Sequence, residues 1–180
     1  GKRKAYLAQQ PRALLGRYEK KRSALEALLP DLEALSGAKQ HKPTVHFYDG
    51  LEEVKQIYLQ VARAEEVFGI GSTKSLATLD QEFWGHHFLA MCKKNGVIFH
   101  DILTHPSGEG ESSQMLNVLG QLYDYRLLPR EYGDQPTDIL LWDNNIALVT
   151  LEEPIFGTVL NSSLLAKTFR IAWSVMRKSL

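Results

Sequence analysis

Residues 42–58 read Lys42-Pro43-Thr44-Val45-His46-Phe47-Tyr48-Asp49-Gly50-Leu51-Glu52-Glu53-Val54-Lys55-Gln56-Ile57-Tyr58. Val45–Tyr48 predicts a short strand, since branched and aromatic side chains suit a pleated surface. Asp49-Gly50 ends it in a turn. A helix opens at once, and Leu51, Val54, Ile57, Tyr58 and Val61 share one of its faces as far as Ala64. A strand that turns directly into an amphipathic helix is the opening unit of an alternating α/β chain.

The alternation continues downstream. Strand Glu66–Gly71, helix Leu79–Lys94 and strand Val97–Leu103 follow, with Asn95-Gly96 as the helix stop. Strand, helix, strand, helix, strand predicts parallel neighbours in one sheet. Ser112–Leu122 predicts a short helix and Tyr125–Leu128 a short strand. Asp138–Trp142 and Ile146–Leu151 read as strands joined by the tight turn Asp143-Asn144-Asn145, which adds antiparallel members to a mixed sheet. Ile155–Leu160 reads as one more strand. Leu164–Met176 closes as a helix, with Leu165, Phe169, Ala172, Trp173 and Met176 on one face.

Upstream, 11–35 reads as a helix. In heptads, Tyr18, Leu25 and Leu32 take one core position, and Leu14, Lys21, Leu28 and Leu35 the other. Lys21 interrupts the seam, and Pro30 is expected to kink or restart the helix. The stripe either packs on its own domain or pairs with a second chain, and dimerisation through Leu14, Tyr18, Leu25, Leu28, Leu32 and Leu35 is the expectation. Ser36 to Pro43 reads as a linker. The organisation is thus a linker and dimerisation helix over 1–40 and an α/β domain over 41–180.

Composition bounds the function. Apolar residues make up 44% of 180, enough for a core. Twenty-one basic and 21 acidic residues cancel, which argues against a dedicated nucleic-acid-binding domain. Lys2, Arg3, Lys4, Arg12, Arg17, Lys20, Lys21 and Arg22 nevertheless crowd the start, with Glu19 as the one acid among them. They form either a solvated helix face or a segment lying near DNA phosphates. The one cysteine, Cys92, excludes an intrachain disulfide, which fits a reducing cytoplasm. No stretch is long and apolar enough to span a bilayer, so no membrane partner is expected. The leading Gly1 reads as the start of a fragment.

Pro11-Arg12-Ala13-Leu14-Leu15 with Leu28-Leu29-Pro30-Asp31-Leu32 resembles the linker helix of the TrmB-like transcriptional regulators. Val45-His46-Phe47-Tyr48-Asp49-Gly50 resembles the start of that family's phospholipase-D-like domain. Arg126-Leu127-Leu128-Pro129, Asp138-Ile139-Leu140-Leu141-Trp142-Asp143 and the last helix with Phe169 and Trp173 resemble its later elements. The resemblance implies an α/β fold, a mixed sheet flanked by helices, phospholipase-D-like and non-catalytic, preceded by a coiled-coil helix. It implies a homodimer that reaches DNA through a winged-helix domain upstream of Gly1. In archaeal sugar-sensing members a further β-rich domain contributes the sugar site, and this sequence stops at Leu180, without room for it.

Phospholipase D chemistry uses a His nucleophile with Lys two residues on. The residues two places after His41, His46, His86, His87, His100 and His105 are Pro43, Tyr48, Phe88, Leu89, Ile102 and Ser107. No enzyme of that type is therefore expected. Glu82 and His86 have i, i+4 spacing, but no second matched pair accompanies them, so no metal or other cofactor is expected. His100 and Asp101 point to opposite sides of their strand, and whichever turns inward needs a partner.

Gly69-Ile70-Gly71-Ser72-Thr73-Lys74-Ser75 ends a strand and opens toward a helix. Gly71, Ser72, Thr73 and Lys74 offer close backbone approach and anion donors, although the glycine spacing of a Walker motif is absent. The run is either an ordinary strand-to-helix turn or one wall of an effector pocket, completed by Thr104 and His105 at the next strand's end. A small-molecule effector there, a sugar or an anion, is the functional expectation. The rivals are a dimerisation scaffold without a ligand, and an enzyme of this fold with another nucleophile. Cys92 reads as a buried inert thiol, and Trp84, Trp142 and Trp173 as core.

Overall fold

The computed structural model describes residues 11–37, 43–105 and 111–180. The chain divides into two compact units, one reaching to Lys42 and the other Pro43–Leu180.

Helix α1 (Pro11–Gly37) is the described part of the first unit, and it passes through Pro30 without ending or restarting there. Tyr18, Leu25 and Leu28 are 78%, 57% and 54% exposed. An exposed Arg22–Glu26 pair at 2.8 Å spans one turn beside them. The side chains of Leu14, Leu32 and Leu35 lie outside the described residues, as do those of the basic run's first members.

The second unit begins with β1 (Thr44–Asp49) and α2 (Leu51–Val61). Glu53 reaches back to accept from the Asp49 N–H at 2.8 Å, and two glutamates in the first turn complement the helix dipole. Val54, Ile57, Tyr58 and Val61 are all buried, as the apolar periodicity requires. Next come β2 (Glu66–Gly71), α3 (Thr73–Leu79), a π-helical turn (Phe83–Phe88), α4 (Leu89–Asn95) and β3 (Ile98–Leu103). The helix expected over Leu79–Lys94 runs through 81–95 with the π-helical turn inside it, and α3 is a further helix ahead of it, set off by Asp80, whose carboxylate accepts from the Phe83 N–H at 2.9 Å. Asn95-Gly96 stops α4 as expected: Gly96 sits at φ 71°, Val97 N–H bonds Cys92 C=O and Gly96 N–H bonds Lys93 C=O, a Schellman pair. Then follow α5 (Glu111–Leu119), β4 (Tyr123–Leu127), β5 (Thr137–Trp142), β6 (Asn145–Thr150), β7 (Phe156–Asn161) and α6 (Ser163–Lys178).

The strands form one mixed sheet in the order β1-β7-β6-β5-β2-β3-β4. β2 runs parallel to β3, and β3 to β4. β1 is not their parallel neighbour: it pairs antiparallel with β7, and three later strands separate it from β2. Asp143-Asn144 makes the two-residue β5–β6 turn, with Asp143 at φ 46°.

The larger core lies between the sheet and α2, the π-helical turn, α4 and α5. A smaller one lies under α6 on the opposite face. There Ala166 and Trp173 are buried, while Leu165, Phe169 and Met176 stay 37–40% exposed. The buried stripe of α6 is thus turned from the one hydropathy picks, and the guanidinium groups of Arg170 and Arg177 lie over the rings of Phe68 and Trp173. Trp142 is buried despite its place beside the hairpin turn.

Candidate functional site

β2 is the centre of the site. Gly69 and Gly71 point to the helix-covered face, as does Val67. Their register partners on the flanking strands are Asp101 on β3 and Asp138 on β5. A Cβ at Gly69 would collide with the Asp101 carboxylate, and one at Gly71 with that of Asp138. Glycine is needed at both places because a carboxylate folds over the strand there.

A cavity of about 60 Å³ lies above these strands. Asp101 and Asp138 form its floor with Gly71, and Thr73, Trp84 and Gln114 are among its walls. The π-helical turn supplies Trp84, Gly85 and Phe88; such turns recur at functional sites. Gln114 on α5 donates to Gly85 C=O at 3.1 Å and so fixes the rim.

The floor is electrostatically unusual. Burial raises the Asp101 pKa to about 7; the nearby Tyr123 hydroxyl, His100 and Arg177 pull it down, and Asp124 pushes it up. The Tyr123 hydroxyl acts at close range, but it makes no hydrogen bond of good geometry. Burial raises Asp138 to about 8, the Tyr58 hydroxyl donating to it at 2.6 Å pulls it down, and Asp101 pushes it up. Burial and Asp138 together move the Tyr58 hydroxyl well above its ordinary value. Trp84 is 5% exposed, and its indole N–H has no acceptor among the described residues.

Of the six residues singled out from the sequence, two line this cavity and Ser72, Lys74, Thr104 and His105 do not. Gly71 and Thr73 line it. Ser72 is fully buried and caps α3, its hydroxyl accepting from the Ser75 N–H at 3.2 Å. Lys74 is exposed on α3. Thr104 donates its N–H to Gly71 C=O at 3.1 Å and its hydroxyl to Asp134 at 2.6 Å. His105 accepts from Arg130 at 3.0 Å. The Gly71–Lys74 run and Thr104-His105 therefore leave two neighbouring parallel strands at the same end, and one backbone bond ties them. Sequence reading missed Asp101, Asp138, Tyr58, Trp84 and Gln114 as a group. The available signal was Gly69-x-Gly71 inside an apolar strand, which marks close approach by something else. Cys92 is buried, and burial pushes its thiol up to about 12.

No family model matches the sequence, and none of the curated proteins matches it. Among solved structures the chain is similar to TrmBL2, an archaeal chromatin protein that shows a novel mode of DNA binding. The TM-score is 0.51 at 13% identity, over 93% of this chain and 64% of TrmBL2. It is also similar to NucT from Helicobacter pylori, with TM-score 0.51 at 11% identity over 77% of this chain and 98% of NucT. At these identities the likeness is one of fold, the mixed sheet flanked by helices. This chain spans less than two thirds of the length of TrmBL2.

Proposed function

We propose that this chain is the dimerisation and effector-sensing part of a TrmB-like DNA-binding transcriptional regulator. One observation carries the reading. The likeness to TrmBL2 covers 93% of the chain, more than the α/β unit by itself, so it extends into the N-terminal unit. A DNA-binding protein with an α/β body of this fold and a helix before it is what the linker-helix resemblance implies.

In this reading α1 pairs with α1 of a second copy, burying the exposed Tyr18, Leu25 and Leu28 in a parallel coiled coil. DNA is read by a winged-helix domain of the complete regulator. The crevice of Gly71, Ser72, Thr73, Lys74, Thr104 and His105 belongs to the effector site. Effector binding shifts the relative placement of two linker helices, and with it the fit to paired half-sites. The phospholipase-D-like body works without that family's nucleophile, as a cytoplasmic, non-enzymatic module. No described helix is long and apolar enough to cross a membrane.

Sedimentation equilibrium tests the reading. The chain is expected at about twice its 20.4 kDa, and Leu25→Asp with Leu28→Asp at the monomer mass. A double variant that stays dimeric removes the coiled coil from the account.

A second reading has its own support. Two buried carboxylates titrating near neutrality are also what general acid–base chemistry uses, and the fold is shared with NucT. Hydrolysis of bis(p-nitrophenyl) phosphate that is lost in Asp138→Asn would favour the enzyme.

A further inference from the structure

We propose that the cavity over β2 binds a small amino alcohol, its ammonium on one of the carboxylates Asp101 and Asp138 and its hydroxyl on the other. The proposal rests on the sensing reading above and names the chemical class of its effector.

The two carboxylates reach over β2 from opposite sides, one onto Gly69 and one onto Gly71. Alternate residues of a strand are about 7 Å apart, so the acceptors suit a short molecule with a donor at each end. A cavity of about 60 Å³ is two-fifths of the 150 Å³ that takes benzene's six carbons, so only the smallest members of the class enter. The second, independent observation is Trp84. Its side chain lines the same cavity and its buried N–H is without an acceptor among the described residues, so a ligand that brings an acceptor satisfies it. A hydroxyl oxygen both donates to a carboxylate and accepts from the indole.

The charge of the ligand follows from the floor. Asp101 and Asp138 hold their protons toward neutral pH because burial disfavours two anions. A cation replaces those protons. The groups facing them are Tyr123, Asp124, His100 and Arg177 around Asp101, and Tyr58 on Asp138. Arg177 bonds the Asp101 backbone C=O at 3.1 Å and pairs with Asp124. A metal ion fits less well: among the described residues no three His, Cys, Asp or Glu come together.

Calorimetric titration of the whole chain with ethanolamine tests this, with ethylene glycol as the neutral isostere and Mg²⁺ as the metal control. Binding is expected to release two protons below pH 7, tightening about a hundredfold from pH 6 to 7 and about tenfold from 7 to 8, and levelling above 8. Trp84 should report it by fluorescence. Asp138→Asn and, as a second variant, Asp101→Asn should each weaken it at least tenfold. Ethylene glycol binding as tightly as ethanolamine, a pH-independent affinity, Mg²⁺ binding in its place, or no heat with the folded chain would each overturn the proposal. None of these bears on whether the chain dimerises, so the sensing ligand and the regulator reading fail separately.

Discussion

Gly71 and Asp138 are register partners across the antiparallel β2–β5 pair, and the space a Gly71 side chain would fill is taken by the Asp138 carboxylate. The carboxylate is held there by Tyr58 at 2.6 Å. Gly71→Ala must therefore displace a buried, bonded acid and is expected to cost about 1–3 kcal/mol in urea denaturation. In Asp138→Ala the carboxylate is gone, and the Thr137 C=O, 3.0 Å from the added methyl, is what still crowds it. The double variant should thus lose less than the two single changes add up to. Strict additivity would mean the two groups do not compete for the space.

The pH dependence of stability has a definite sign. Asp101 and Asp138 start from 3.8 and are raised to about 7 and about 8 in the fold. The folded state therefore binds protons that the unfolded state has released. The stability they contribute is full below about pH 4 and is lost as pH rises through 7 and 8. Asp138→Asn keeps an acceptor for Tyr58 and removes the charge. Its melting temperature should exceed that of the wild type at pH 8.5 and converge with it near pH 4.5. Parallel melting curves across that range would contradict the assignment.

Trp173 ties α6 to the strand beneath the cavity, donating to Gly69 C=O at 2.9 Å in a buried bond. Its ring packs edge-on against Phe68 with centroids 4.9 Å apart. Trp173→Phe keeps most of the packing but leaves that carbonyl without its donor, at an expected cost of about 1–3 kcal/mol. A loss under about 0.5 kcal/mol would mean the carbonyl finds another partner.

Local order was legible and distant pairing was not. Periodicity marks α2, because Val54, Ile57, Tyr58 and Val61 repeat at helical spacing. The Asn95-Gly96 stop and the Asp143-Asn144 turn follow from residues with few backbone options. The partner of β1 was not legible, since β7 lies more than a hundred residues downstream and no short-range pattern encodes the pairing. The stripe of α6 was misread for a chemical reason: arginine guanidinium groups lie over aromatic rings, while hydropathy scores them as surface. The candidate site was half visible. Gly71 and Thr73 stand out beside a strand end, whereas Asp101 and Asp138 meet only because β2 inserts between β3 and β5.

The central claim, a parallel pairing of two α1 helices, is tested most directly by cysteine cross-linking at Leu28. A parallel, in-register coiled coil brings each core residue beside its own copy. Leu28→Cys should oxidise to a covalent dimer under mild conditions. The wild type should not, because its one thiol, Cys92, is buried and pushed up to about 12. A Leu28→Cys chain that stays monomeric on non-reducing gels, with Leu25→Cys behaving alike, would contradict the pairing.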